Sequence, residues 1–186
     1  MIDRPSDKDI YFLPQKPYCC ALGTLKDQLL YPSMDLISSH EDHVVNNTWQ
    51  TRTFLSDQDI LDIFDKIDLA ELPFREGNGD ASKGLRVVKD WSKILSLGEQ
   101  QRLAFGRILV NRPLFVLLDE ATSAMDTKAE SNMYSLLNGT TQKITYVSVG
   151  HRTSLLKFHT SQLTLKGREG YSLEDIQDPF TNTSDR

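Results

Sequence analysis

The sequence predicts an α/β fold with a mostly parallel core sheet. Three apolar, β-rich runs support this: Ile10-Tyr11-Phe12-Leu13, Leu114 to Leu118, and Ile144 to Val149, with helical periodicity between them. The middle run is unbroken, which suits a strand buried on both faces of a parallel sheet. It closes on Asp119 and Glu120. Open α/β sheets place their ligands at such carboxyl ends.

Composition sets the outer bounds. The 186 residues suffice for one domain with a sizeable core. Hydrophobic content of 39% and charged content of 25% suit a globular protein. A net charge of −5 gives no basic footprint, so a nucleic-acid partner is not expected. No apolar stretch is long enough to span a bilayer, and the polar opening from Met1 to Asp9 is no secretory signal. The two cysteines, Cys19 and Cys20, are adjacent, which disfavours a disulfide and points to a reducing compartment.

Taken in order, Met1 to Asp9 reads as a flexible lead-in, and Pro14-Gln15-Lys16-Pro17 stops the first strand. Thr24 is placed to cap a helix over Asp27. Residues Ser33 to Ser56 form a polar insertion whose His40 and His43 read as part of a solvated loop rather than a metal site. Ser56 to Leu72 reads as one amphipathic helix with Ile60, Ile63, Phe64 and Ile67 inward. Gly77 to Gly84 is a turn-rich loop. Ser96 and Glu99 have the spacing of a capping box. The helix they open leaves free N–H groups at Leu97 and Gly98, an anion site where glycine allows close backbone approach. Ala104, Phe105, Ile108 and Leu109 then share a helical face, and Pro113 ends the helix. Ala129 to Leu137 suits a helix, His151 follows the third strand, and Ser161 to Lys166 reads as a last, exposed strand. Gly167 to Arg186 is expected to be a polar tail with a disordered end.

Singly, a capping box marks a helix start, and an apolar run closed by acids an ordinary strand. Their order and tight spacing from Leu95 to Asp126 say more. Leu95-Ser96-Leu97-Gly98-Glu99 resembles the signature motif of ABC transporter nucleotide-binding domains, with Leu97 where glycine is common. Leu114 to Asp119 resembles Walker B, Ser123-Ala124-Met125-Asp126 the D-loop, Gln15 the Q-loop glutamine, and His151 the H-loop histidine. The stretches YFLPQKPY, GTLKDQLLYP, DWSKILSLGEQQRLAFGR and SVGHRTSLLKFH are similar to subfamily D half-transporters, particularly the plastid and cyanobacterial branch.

The resemblance covers Ile10 to about Leu165 and implies a P-loop NTPase-like core with a helical subdomain over roughly Gly23 to Leu95. It implies ATP and Mg²⁺ as ligands and a second nucleotide-binding domain, in a homo- or heterodimer, as partner. A transmembrane domain outside this chain would anchor the pair, with the nucleotide domain on the cytosolic or stromal side of a peroxisomal or plastid membrane. By resemblance, Glu120 is the general base and His151 binds the γ-phosphate. Asp119 and Gln15 complete the metal shell, Ser96 and Gly98 serve the partner's ATP, and Asp126 lies across the dimer contact. Arg102 is expected to be a surface or interface charge. Fatty acyl-CoA, a related lipid or cobalamin is the implied cargo.

No G-x-x-x-x-G-K-S/T phosphate loop occurs in the sequence. The chain is therefore expected to be part of such a domain or a degenerate copy, and to bind ATP weakly alone. Two other readings stay open: a non-catalytic interaction module, and a non-transport ABC ATPase. Relatives of the latter kind usually carry two cassettes or a coiled-coil insertion, and neither is seen here.

Overall fold

Strand β1 (Ile10–Leu13), β2 (Phe115–Asp119) and β3 (Thr145–Val149) form a parallel sheet in the order β1-β2-β3. They belong to a computed structural model that describes residues 10–32, 55–141 and 143–176. The expected insertion with His40 and His43, the lead-in and the last residues of the tail lie outside the described residues. Register pairs Leu13 with Leu118, Phe12 with Leu117, and Leu117 with Val147. Parallel neighbours need long crossovers. The first of these, from β1 to β2, carries all the helices of the expected helical subdomain.

Local signals set where these helices begin. α1 (Leu25–Leu30) and α2 (Asp57–Lys66) each open on a reciprocal capping box, Thr24 with Asp27 and Ser56 with Asp59. The single helix expected from Ser56 to Leu72 is in fact broken. It ends at Lys66, turns through Asp68 at φ 57°, and resumes as α3 (Glu71–Glu76). Aspartate tolerates that left-handed conformation. The turn lets Ile67, Leu69 and Leu72 all enter the core, and Asn132 holds it by donating to Lys66 O and Asp68 Oδ2.

The expected loop from Gly77 to Gly84 contains a further turn of helix, α4 (Ala81–Gly84), capped by Asp80. It lies so close to α3 that a Cβ on Gly84 would fall 1.8 Å from Pro73 O. α5 (Trp91–Ile94) follows, and buried Trp91 donates from Nε1 to Gly23 O at 2.8 Å, tying the two ends of the subdomain together.

α6 (Leu97–Asn111) ends one residue before Arg112, which sits at φ 46° ahead of buried Pro113. Ala104, Phe105 and Ile108 are buried as expected and Leu109 is half-buried. Gln100, Gln101, Arg107 and Asn111 are buried as well, so α6 is enclosed well beyond one stripe. α7 (Thr127–Asn138) buries Met133, Tyr134 and Leu137, and the Tyr134 ring stacks on Phe158 at 5.4 Å. Burial pushes the Tyr134 hydroxyl up to about 12, so it stays protonated.

Two further expectations are corrected. β2 is not buried on both faces among the described residues: Val116 and Leu118 face the core, while Phe115 and Leu117 are half-buried. Beside them Phe12 is 52% and Val147 49% exposed. The helices cover one side of the sheet, where Leu13, Val116 and Leu118 join Ala104, Phe105 and Tyr134. The polar tail also contains a strand. β4 (Ser161–Leu165) pairs antiparallel with β5 (Tyr171–Asp175), so β4 is exposed as expected but is not the last. Gly167 and Gly170, at φ 62° and 94°, close the hairpin.

Candidate functional site

Each strand of the parallel sheet delivers one polar side chain just past its carboxyl end. β1 stops at Leu13 and Gln15 follows; β2 stops at Asp119 and Glu120 follows; β3 stops at Val149 and His151 follows. The three converge. Glu120 Oε2 accepts from Gln15 Nε2 at 2.7 Å, and Glu120 Oε1 lies 2.9 Å from His151 Nε2. Side-chain exposure is 27% for Glu120 and 86% for His151, so the cluster sits at a wet edge.

Glu120 reaches this position through an uncommon backbone. Its φ of 46° is left-handed, and its N–H donates to Val149 O at 3.0 Å while its C=O accepts from Ser123 N. A non-glycine residue held there carries a strain of about 1–2 kcal/mol, which surrounding bonds must over-determine. The turn separates two adjacent carboxylates. Asp119 remains in β2 on the open face with Phe115 and Leu117, exposed to solvent, whereas Glu120 turns toward Gln15 and His151.

Among the described residues no three His, Cys, Asp or Glu side chains gather into a metal cage. The donors on offer are the carboxylate of Asp119 and the amide oxygen of Gln15. That hard, sparse oxygen set fits Mg²⁺, which keeps several waters and takes few carboxylates beside substrate phosphates.

Ser96 and Gly98 lie apart from this cluster, at the start of α6. Ser96 Oγ accepts from Glu99 N, and Glu99 Oε2 accepts from Ser96 N at 2.8 Å, completing the capping box. Burial opposes the Glu99 charge, but the Ser96 bonds and Arg75, at 3.3 Å, outweigh it and hold the carboxyl below its ordinary range. Gly98 meets a close backbone neighbour: its missing Cβ would lie 3.0 Å from Ala124 O. The glycine thus admits the Ser123–Asp126 loop against the helix start. Asp126 caps α7, accepting from Ala129 N at 2.8 Å, and that bond lowers its carboxyl pKa. Arg102 is half-buried, with Nε enclosed and without a hydrogen-bond partner among the described residues.

Three residues at the site escaped the sequence reading. Gln101, fully buried, accepts from Ala124 N at 3.0 Å and donates to Gln15 O at 2.8 Å and Ser123 Oγ at 3.2 Å. Arg152 donates to Met125 O at 2.9 Å and Ser123 O at 3.2 Å. Buried Glu130 balances it at 3.3 Å and accepts from Thr122 and Ser154. A signal was present for two of them. Gln101 precedes Ala104, Phe105 and Ile108 on the apolar stripe of α6, and Glu130 precedes Met133, Tyr134 and Leu137 on that of α7. A polar residue on a buried stripe needs partners.

Comparisons with known proteins identify the family. The family model described as ABC transporter matches residues 8–123. An uncharacterised ABC transporter ATP-binding protein of Synechocystis is 38% identical over 94% of this chain and 22% of its own length. The chloroplastic ABC transporter D family member 2 of Arabidopsis thaliana is 37% identical over 89% of this chain and 24% of its own. Human ATP-binding cassette sub-family D member 3 is 35% identical, over 94% and 23%. A bacterial Atm1-family ABC exporter solved with ATP bound superposes with a TM-score of 0.61, at 22% identity over 84% of this chain and 23% of that one; at that identity it shows the fold. The chain spans less than a quarter of the length of these relatives. No helix among the described residues is long and apolar enough to cross a membrane. The chain belongs to the ABC transporter family, and the relatives it matches include members of subfamily D.

Proposed function

We propose that this chain is the C-terminal part of an ATP-binding and ATP-hydrolysing domain in a subfamily D-like half-transporter. The observation that carries the proposal is the convergence of Gln15, Glu120 and His151 from three successive parallel strand ends. Glu120 takes a proton from the attacking water, Gln15 orients that water, and His151 donates toward the γ-phosphate as charge develops there. Here both Glu120 oxygens are occupied, by Gln15 and by His151, so the water replaces one of these contacts. Asp119 and Gln15 hold Mg²⁺, which supplies electrostatic stabilisation of the phosphate charge when bound. Ser96 and Gly98 serve ATP held by a second nucleotide-binding domain, and Asp126 lies at the contact between the two.

The setting proposed is a plastid, peroxisomal or related membrane, with a transmembrane domain outside this chain; the name of the chloroplastic relative supports the plastid. A fatty acyl-CoA, a related lipid or cobalamin is the cargo class. One observation favours a second reading, a non-catalytic interaction module: the sequence holds no Gly-Lys-Ser or Gly-Lys-Thr to cradle phosphates. Calorimetric titration with Mg-ATP separates the two when run on the chain and on the full-length transporter. The ATPase reading expects weak or no binding by the chain and tight binding by the full-length protein, with Asp119→Asn weakening its Mg²⁺ dependence. No binding by the full-length protein would establish the interaction module instead.

A further inference from the structure

We propose that Gln101 and Arg152 are positioning residues that clamp the Ser123–Asp126 loop to Gln15 on one side and His151 on the other. The water-orienting residue, the phosphate-binding residue and the dimer-contact loop then move as one unit. The assignment rests on the ATPase reading above and adds residues that the reading does not need.

The loop is exposed at Ser123 and Ala124, yet its backbone is committed inward. Gln101 takes the Ala124 N–H, and Arg152 takes the carbonyls of Ser123 and Met125. Each clamp has a second end at the site. The same Gln101 amide donates to Gln15 O, so a shift of Gln15 reaches Ala124 through one planar group. Arg152 is covalently next to His151, and Glu130 anchors its guanidinium to α7.

The chemistry of each side chain suits its place. An amide offers a donor and an acceptor on one rigid plane; an ionised carboxylate cannot donate, and an ammonium cannot accept. Gln101 is 0% exposed, so burying its amide is tolerable only because both ends are satisfied. The planar arginine fork presents its N–H groups to both carbonyls in fixed geometry. Beneath the clamp, Ala124 O rests against Gly98, so the loop's position is felt at the start of α6 as well.

Two measurements test this. In the 186-residue chain, amide hydrogen exchange is followed in the parent and in Gln101→Met, which keeps shape without hydrogen bonding. The Ala124 amide is expected to exchange about five- to tenfold faster in the variant, beyond any change at the amides of α7, because Ala124 N loses its hydrogen bond to Gln101. Unchanged exchange at Ala124 would overturn the proposal. If Gln101→Met proves unstable, the same reading is taken from Arg152→Lys, where exchange must quicken through the Ser123–Asp126 loop. In the full-length transporter, ATPase kcat is measured for Gln101→Glu as a ratio to the parent across about pH 5.5 to 8. A protonated carboxyl can donate to Gln15 O as the amide does, and an ionised one cannot. The ratio should therefore rise toward one as pH falls, while KM for ATP changes little. A ratio flat with pH would overturn the coupling. Glu120 and His151 are present in both proteins, so the ratio reports the difference made at position 101. Exchange at Ala124 needs no ATP, so a parent without ATPase activity would sink the functional reading while the amide alone decides the clamp.

Discussion

Arg107→Ala is predicted to destabilise the chain by about 3–5 kcal/mol, through the contact between the β1 exit and the helical subdomain. Arg107 is 2% exposed. Its Nε donates to Gln28 O at 2.6 Å and its Nη1 to Tyr18 O at 2.9 Å. The guanidinium lies 5.5 Å from the Tyr18 ring and 5.6 Å from the Tyr31 ring, and those rings meet edge to face. Among the described residues no carboxylate pairs with it, and carbonyls, ring faces and the Tyr11 hydroxyl surround the charge. Two hydrogen bonds from a charged donor contribute about 1.5–3 kcal/mol each, and each ring about 0.5–1 kcal/mol. The gross loss of about 4–8 kcal/mol is partly offset because the buried charge no longer needs desolvating. For a domain of this size the net loss lowers Tm by about 6–20 °C. Thermal melts followed by circular dichroism measure it, with Arg107→Lys expected to fall between Arg107→Ala and the parent. An Arg107→Ala melt within about 2 °C of the parent would refute the reasoning.

Two further predictions concern the subdomain's packing and charge. Gly84→Ala sets a Cβ against the Pro73 backbone carbonyl, which cannot swing aside as a side chain could, and should destabilise by more than about 3 kcal/mol in urea unfolding. Gly167→Ala, with nothing within 4 Å of its Cβ, should lose only about 1 kcal/mol from its positive φ; equal losses at the two sites would contradict this. For pH, Asp57 is held low by the Lys26 and Arg86 contacts. Glu76 is held low by Lys89 and Arg75, which outweigh its burial. Depressed carboxylates stabilise above their unfolded pKa and lose that stabilisation as pH falls through the folded value. Urea midpoints should thus hold steady above about pH 5.5 and drop below about pH 4.5, less steeply in Glu76→Gln. An equal slope in that variant would remove Glu76 from the explanation.

What was legible in the sequence was local. Two capping boxes, Thr24 with Asp27 and Ser96 with Glu99, are three-residue signals, and the helices begin where they place them; α2 likewise begins after Ser56, where its periodicity starts. The three β-rich runs likewise became the three parallel strands. What was not legible depended on partners distant in the chain. The break at Asp68 exists because Ile67, Leu69 and Leu72 all find core space, which no helical period encodes. β5 was hidden because Tyr171 and Leu173 stand in a polar stretch and gain their strand only by pairing with Leu165 and Leu163. An apolar run such as Phe115 to Leu118 says which faces a strand can bury and is silent on what lies against them. At the site, the end of the second strand pointed to Asp119 and Glu120, while Gln15 and His151 were marked only by their resemblance to family motifs. The meeting of Gln15 and His151 at a left-handed Glu120, and the buried amide of Gln101 behind them, are properties of the fold.

The most direct measurement is ATP turnover by the full-length transporter carrying Glu120→Gln. The substitution keeps the shape of the side chain, and its amide can still hydrogen-bond Gln15 and His151, but it cannot accept a proton from water. ATP binding should persist, the ATP-bound dimer should accumulate, and hydrolysis should slow by about 10²–10⁴-fold, the usual worth of a positioned general base. Hydrolysis at the parent rate would contradict the assignment of Glu120 and leave the Gln15–Glu120–His151 cluster a feature of the fold alone.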